Sequence, residues 1–81
     1  MSENEKPKLN HFFVDAKKFE TDQASLTGAE IKALAGVTAT YQLFLEEQGD
    51  KPDKPISDGE SINLVHGTRH FFAVPPATFG V

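Results

Sequence analysis

The stretch "SLTGAEIKALAGV", Ser25 to Val37, constrains this chain more tightly than any other. Thr27 and Glu30 have the spacing of a capping box, in which a threonine hydroxyl and a glutamate carboxylate each accept from an orphan backbone amide at the helix start. Leu26 and Ile31 fall where a hydrophobic staple would pack the entering chain onto the first turn. Gly36 sits where a helix ends in the left-handed conformation, and Val37 follows to cover that end. The reading is one helix of about two turns within "TGAEIKALAG", with Ile31, Leu34 and Ala35 as its buried stripe. A helix this short has no stable existence alone in water. Some other surface must take its apolar stripe.

That surface is expected to be a sheet. "LNHFFVD" (Leu9–Asp15) is rich in β-formers, and "KFETDQAS" resumes after a short turn spanning Asp15–Lys18, together suggesting a hairpin. Beyond the helix, "YQLFLEE" (Tyr41–Glu47) alternates like a half-buried strand, and "QGDKPDKP" reads as a polar loop. Ser57-Asp58-Gly59 forms a turn, "SINLV" (Ser61–Val65) a strand with Ile62 and Leu64 on one face, and His66-Gly67 another turn. "RHFFAV" (Arg69–Val74) is the last strand, stopped by Pro75 and Pro76, which lack the amide hydrogen a ladder needs. The order β-β-α-β-β-β predicts an α+β fold, a mixed sheet of four or five strands with one helix packed on one face.

Composition narrows the function. With 81 residues the chain is one domain, and a domain of this size buries only about 60 % of its unfolded surface. No cysteine is present, which excludes disulfide staples, thiolate chemistry and iron–sulfur ligation by this chain. Three scattered histidines without a carboxylate at ligand spacing argue against a metal site, and no cofactor is expected. Net charge is −4, with one arginine and seven lysines dispersed among acidic residues, so nothing forms the basic stripe that nucleic acid requires. No apolar run reaches the ~20 residues of a membrane span, and no signal-peptide pattern opens the chain. No nucleophile–base pair is found, so an enzyme is not expected. The expectation is a soluble cytoplasmic domain over residues 9–76, a disordered polar lead over 1–8, and a flexible tail over 77–81.

Three segments, "TGAEIKALAGV", "YQLFLEEQGDKPDKPISDGESINLVHG" and "RHFFAVPPATFG", together resemble the bacterial multiubiquitin family of ubiquitin-like proteins, from about Leu9 to Gly80. The resemblance implies a ubiquitin-like β-grasp fold with the first and last strands side by side in the centre of the sheet. It also implies a protein modifier working with an E1-like adenylating enzyme, an E2-like conjugating enzyme and a JAB-like metallopeptidase on a target protein not named by the sequence, a setting associated with antiphage defence. The tail then becomes the working end. Gly80 is the expected conjugation terminus, and Pro75, Pro76, Ala77, Thr78 and Phe79 would enter the enzyme's active site ahead of it. Glycine has no Cβ and so suits a narrow channel. Residues 77–81 can extend about 16 Å at roughly 3.3 Å per residue. Val81 follows Gly80, so a peptidase would have to remove it. A bare diglycine end is absent, which weighs against a sulfur carrier; a non-covalent β-grasp interaction module is the other alternative.

Strand parity adds a candidate docking patch. Leu43 and Leu45 are expected to face the helix, which turns Phe44 outward. Phe12 and Val14 are assigned inward and Phe13 outward. In "RHFFAV" the pair Phe72 and Val74 is assigned inward because it fills more volume than Phe71 and Ala73, leaving Phe71 outside. Phe13, Phe44 and Phe71 would then form an exposed aromatic patch for the modifier's enzymes.

Overall fold

The computed structural model describes residues 9–76. The elements, in chain order, are β1 (Asn10–Val14), β2 (Lys17–Thr21), β3 (Ser25–Thr27), α1 (Gly28–Ala35), β4 (Gln42–Leu45), β5 (Lys54–Ile56), β6 (Ser61–Asn63) and β7 (Arg69–Val74). Five strands form one mixed sheet in the order β2-β1-β7-β4-β5, and β3 pairs with β6 in a small second sheet. β1 and β7 run parallel at the centre, while β2, β4 and β5 join antiparallel. The β-grasp arrangement expected from the family resemblance is therefore the one observed.

α1 keeps both of its signals. Thr27 Oγ1 accepts from the Glu30 amide at 3.2 Å, and Glu30 Oε1 accepts from the Thr27 amide at 2.8 Å. At the other end Gly36 takes φ 73°, the Gly36 amide donates to Ala33 O, and the Val37 amide donates to Lys32 O, the paired bonds of a Schellman ending. The remaining orphan amides at the helix start find partners in the Ser57–Glu60 turn: Gly28 N–H donates to Glu60 O and Ala29 N–H to Asp58 O. That docking is close. A Cβ built on Gly28 would lie 2.3 Å from Ser57 O, so only glycine fits.

The core comprises Phe12, Val14, Leu26, Ile31, Leu43, Leu45, Ile56, Ile62, Leu64 and Phe71. Phe12 lies near its middle, stacked on Phe19 at 5.7 Å between centroids and edge-on to Phe71 at 6.1 Å. The inward assignments of Phe12, Val14, Leu43 and Leu45 hold, and Ile62 and Leu64, expected on one face, are both buried.

Other assignments are corrected. Leu34 is 51 % exposed, and the second fully covered side chain of α1 after Ile31 belongs to Lys32. Its ammonium donates to Ala39 O at 2.8 Å and Tyr41 O at 2.9 Å and pairs with Asp58 Oδ1 at 2.7 Å, so all three protons are used. Phe71, placed outward by volume, is 1 % exposed, whereas Phe72 and Val74 are exposed. The register explains this inversion: Phe71 lies opposite Leu45, and Ala73 opposite Leu43. Residues directly opposite in a ladder share a face, so two inward leucines on β4 carry Phe71 and Ala73 inward with them. The loop reading of "QGDKPDKP" missed β5, a three-residue edge strand whose Pro55 stands opposite Phe44. The turn expected over Asp15–Lys18 is tighter, with Asp15 (φ 52°) and Ala16 (φ 71°) as a two-residue connection.

Candidate functional site

The helix covers one face of the sheet and leaves the other open. On that open face β7 presents His70, Phe72 and Val74, all exposed. Phe72 lies directly opposite Phe44 of β4, and Val74 opposite Gln42. On the other flank of β7, Phe13 stands beside His70 with the two rings stacked at 4.9 Å and 4°. Alternate residues along a strand are ~7 Å apart, so these side chains form one row running toward the point where the chain leaves the sheet.

Of the three residues expected in the patch, the structure therefore brings Phe13 and Phe44 to the open face, both half-buried, and removes Phe71 to the core. Phe72 and Val74 take its place. A shallow groove at the exit end is lined by Phe44, Phe72, Ala73 and Val74, with the carboxylates of Asp15 and Asp53 at its border. Sequence parity alone did not choose Phe72: with Leu43 and Leu45 inward, it is the register of β4 against β7 that decides which phenylalanine faces out.

Asp15 has a second role here. β1 ends at Val14, and the chain turns away while β7 continues three residues past Phe71, its last position paired with β1, leaving the Ala73 amide without a strand partner. Asp15 Oδ1 accepts that amide at 3.2 Å, and the Asp15 amide donates to Phe71 O at 3.0 Å. One residue of the hairpin turn thus holds the end of the strand that carries the C-terminal segment. No pattern of spacing announces this contact, because 58 positions separate its partners.

β7 ends at Val74, as the two prolines require, and Pro75 and Pro76 are exposed. The residues expected to enter an enzyme's active site, Ala77, Thr78 and Phe79, and the expected conjugation terminus Gly80 lie outside the described residues. Among the described residues no group of three or more His, Asp or Glu gathers at metal-binding distance, and no helix is long and apolar enough to cross a membrane.

A sheet with parallel β1 and β7 at its centre, one face under a short helix and the other bearing an aromatic row beside the exit of β7, defines a ubiquitin-like domain. The chain belongs to the multiubiquitin family, whose family model matches residues 11–75. No curated protein and no solved structure matches it.

Proposed function

We propose that this ubiquitin-like protein is a modifier activated at the carboxylate of Gly80. A peptidase of the JAB type hydrolyses the Gly80–Val81 bond. The freed carboxylate attacks the α-phosphorus of ATP on an E1-like enzyme, releasing pyrophosphate and forming an acyl adenylate. An enzyme cysteine thiolate then displaces AMP to give a thioester, which an E2-like enzyme carries to the target. The chain supplies no catalytic group in this scheme, in keeping with its lack of cysteine. A bacterial operon of this kind and a part in antiphage defence complete the reading.

The observation that carries the proposal is the apolar row on the open face, exposed Phe72 and Val74 of β7 flanked by half-buried Phe13 of β1 and Phe44 of β4, beside the point where β7 leads into the C-terminal segment, in a member of the multiubiquitin family. Exposed apolar rows in a small domain usually mark a binding surface. The carboxylates at the groove's border suit a partner that surrounds an apolar contact with basic side chains. The enzyme would hold this face while the exit past Pro75 and Pro76 directs the tail into its active site.

The test is intact-mass spectrometry of the protein after exposure to the E1-like enzyme and JAB-like peptidase of the proposed operon, with ATP. Loss of Val81 followed by a thioester at Gly80 is expected. Gly80→Ala should fold and fail to form the thioester. Phe44→Ser combined with Phe72→Ser should fold and lose at least tenfold in affinity for the enzyme, about 1.4 kcal/mol. Efficient thioester formation by Gly80→Ala would refute the assignment of Gly80.

A further inference from the structure

The five-stranded sheet has two edges, and they differ. β5 is three residues long, with Pro55 inside it and Pro52 just before it, which blunts that edge against further pairing. β2 is five residues long, "KKFET", and contains no proline. The Asp15 amide reaches β7, so odd-numbered residues of β1 direct their backbone toward β7 and even-numbered residues toward β2. The partners of Asn10, Phe12 and Val14 on β2 are Thr21, Phe19 and Lys17. Lys18 and Glu20 therefore turn their amides and carbonyls outward. Among the described residues no other element bonds to those groups.

We propose that the β2 edge pairs antiparallel with β2 of a second copy of this chain, about a two-fold axis through Phe19, making one continuous sheet of ten strands. Four features of the edge fit this register. The outward-facing pairs are Lys18 with Glu20 of the second copy and the reverse, and each pair exchanges both N–H···O bonds. The same two pairs set an ammonium opposite a carboxylate twice on the open face, where any other self-pairing of this strand opposes like charges or leaves them unmatched. Phe19, half-buried against Phe12, meets its own copy at the non-hydrogen-bonded position on the helix side, where strands approach to about 4.5 Å between Cα atoms. Finally, Lys17 of the second copy falls opposite Thr21. Beside Thr21 lies a groove bordered by Asp22, Glu30 and the exposed Leu34, which receives an aliphatic stem ending in an ammonium.

Lysines on an edge strand ordinarily prevent pairing between copies. Here Lys18 is followed two places later by Glu20, so antiparallel self-pairing neutralises both. The interface is small and its constant is expected at about 0.1–1 mM, a weak association that tethering of copies would strengthen. β7 and β4 lie away from this edge, so the aromatic row and the exit at Pro75 stay free. The inference stands independently of the conjugation scheme.

Sedimentation equilibrium of the chain up to about 1 mM tests it: the weight-average mass should rise from 8.9 kDa toward the dimer and fall back in high salt. Lys18→Glu alone and Glu20→Lys alone should each hold the chain monomeric, and the two together should restore the dimer. Because the chain has no cysteine, Lys17→Cys with Thr21→Cys provides a register check, and oxidation should link two copies through 17–21 bridges identified by peptide mapping. A wild-type chain that stays monomeric throughout overturns the proposal. So does a charge-swapped double variant no more dimeric than the single ones, or bridging that shows no preference for the 17–21 pairing. Circular dichroism identifies any variant that fails to fold, and the wild-type measurement decides by itself.

Discussion

Replacing Lys32 by Met keeps the length of the side chain and deletes its charge, which isolates what the ammonium contributes. Lys32 is 5 % exposed, and its Nζ serves Ala39 O, Tyr41 O and Asp58 Oδ1 at 2.7–2.9 Å. Asp58 keeps 63 % of its side chain in water and can recover its hydration, so its loss is minor. The two carbonyls belong to the segment that leads from α1 into β4, and each loses its side-chain donor. Both bonds are part-buried, so each abandoned acceptor falls in the lower half of the about 1–3 kcal/mol that a fully buried one costs. The methionine stem and thioether retain most of the packing. The expected loss is about 2–4 kcal/mol, a large fraction of the ~4–12 kcal/mol that a domain of this length holds. Leu34→Ala is the control: its side chain is half in water, so about 1 kcal/mol or less should be lost. Urea unfolding monitored by far-ultraviolet circular dichroism gives both values from the shift in midpoint at constant slope. A larger loss for Leu34→Ala than for Lys32→Met would refute the reasoning, since it would mean that the apolar stripe and not the ammonium joins α1 to the rest of the domain.

Three further expectations follow from packing and charge. Phe71→Ala should cost about 3–5 kcal/mol and Phe72→Ala about 1 or less, and equal midpoints would show that the parity of β7 is not as described. Gly28→Ala should destabilise by about 1–3 kcal/mol, because its methyl would meet Ser57 O, and an unchanged midpoint would show that the Ser57–Glu60 turn yields at little cost. The Lys54 ammonium, hydrogen-bonded to Glu60 with Nζ 2.9 Å from Oε2, and the Ser57 amide hold the Glu60 carboxyl below the ordinary range. A carboxyl depressed in the folded state adds stability above its unfolded pKa that is lost as pH falls through the folded value. Glu60→Gln should therefore flatten the acid limb of the stability profile, and an identical limb in midpoint measurements from neutral pH downward would count against the pairing.

Local chemistry made some elements legible. The capping box, the staple and the left-handed glycine all act within a few residues of one another, so α1 could be placed from Thr27, Glu30, Ile31 and Gly36 alone. The stop at Val74 was equally local, because Pro75 lacks the donor that a continuing ladder needs. β5 was not legible: three residues with a proline carry no periodicity, and Ile56 earns its place by lying opposite Leu43. β3 is as short, and exists because Leu26 meets Ile62 across a second small sheet.

The sequence by itself determined the helix and its caps, the alternation of Leu43 with Leu45 and of Phe12 with Val14, and the resemblance of its segments to the multiubiquitin family. Only the tertiary structure decided which phenylalanine of β7 is core. Volume favoured Phe72 with Val74, but facing is inherited through the ladder, and a shift of one residue in register exchanges every side chain between faces. Lys32 was decided in the same way. A lysine next to Ile31 but outside the apolar stripe is covered because two carbonyls from the segment after α1 and the carboxylate of Asp58 converge on it, and such convergence exists only once the chain has folded.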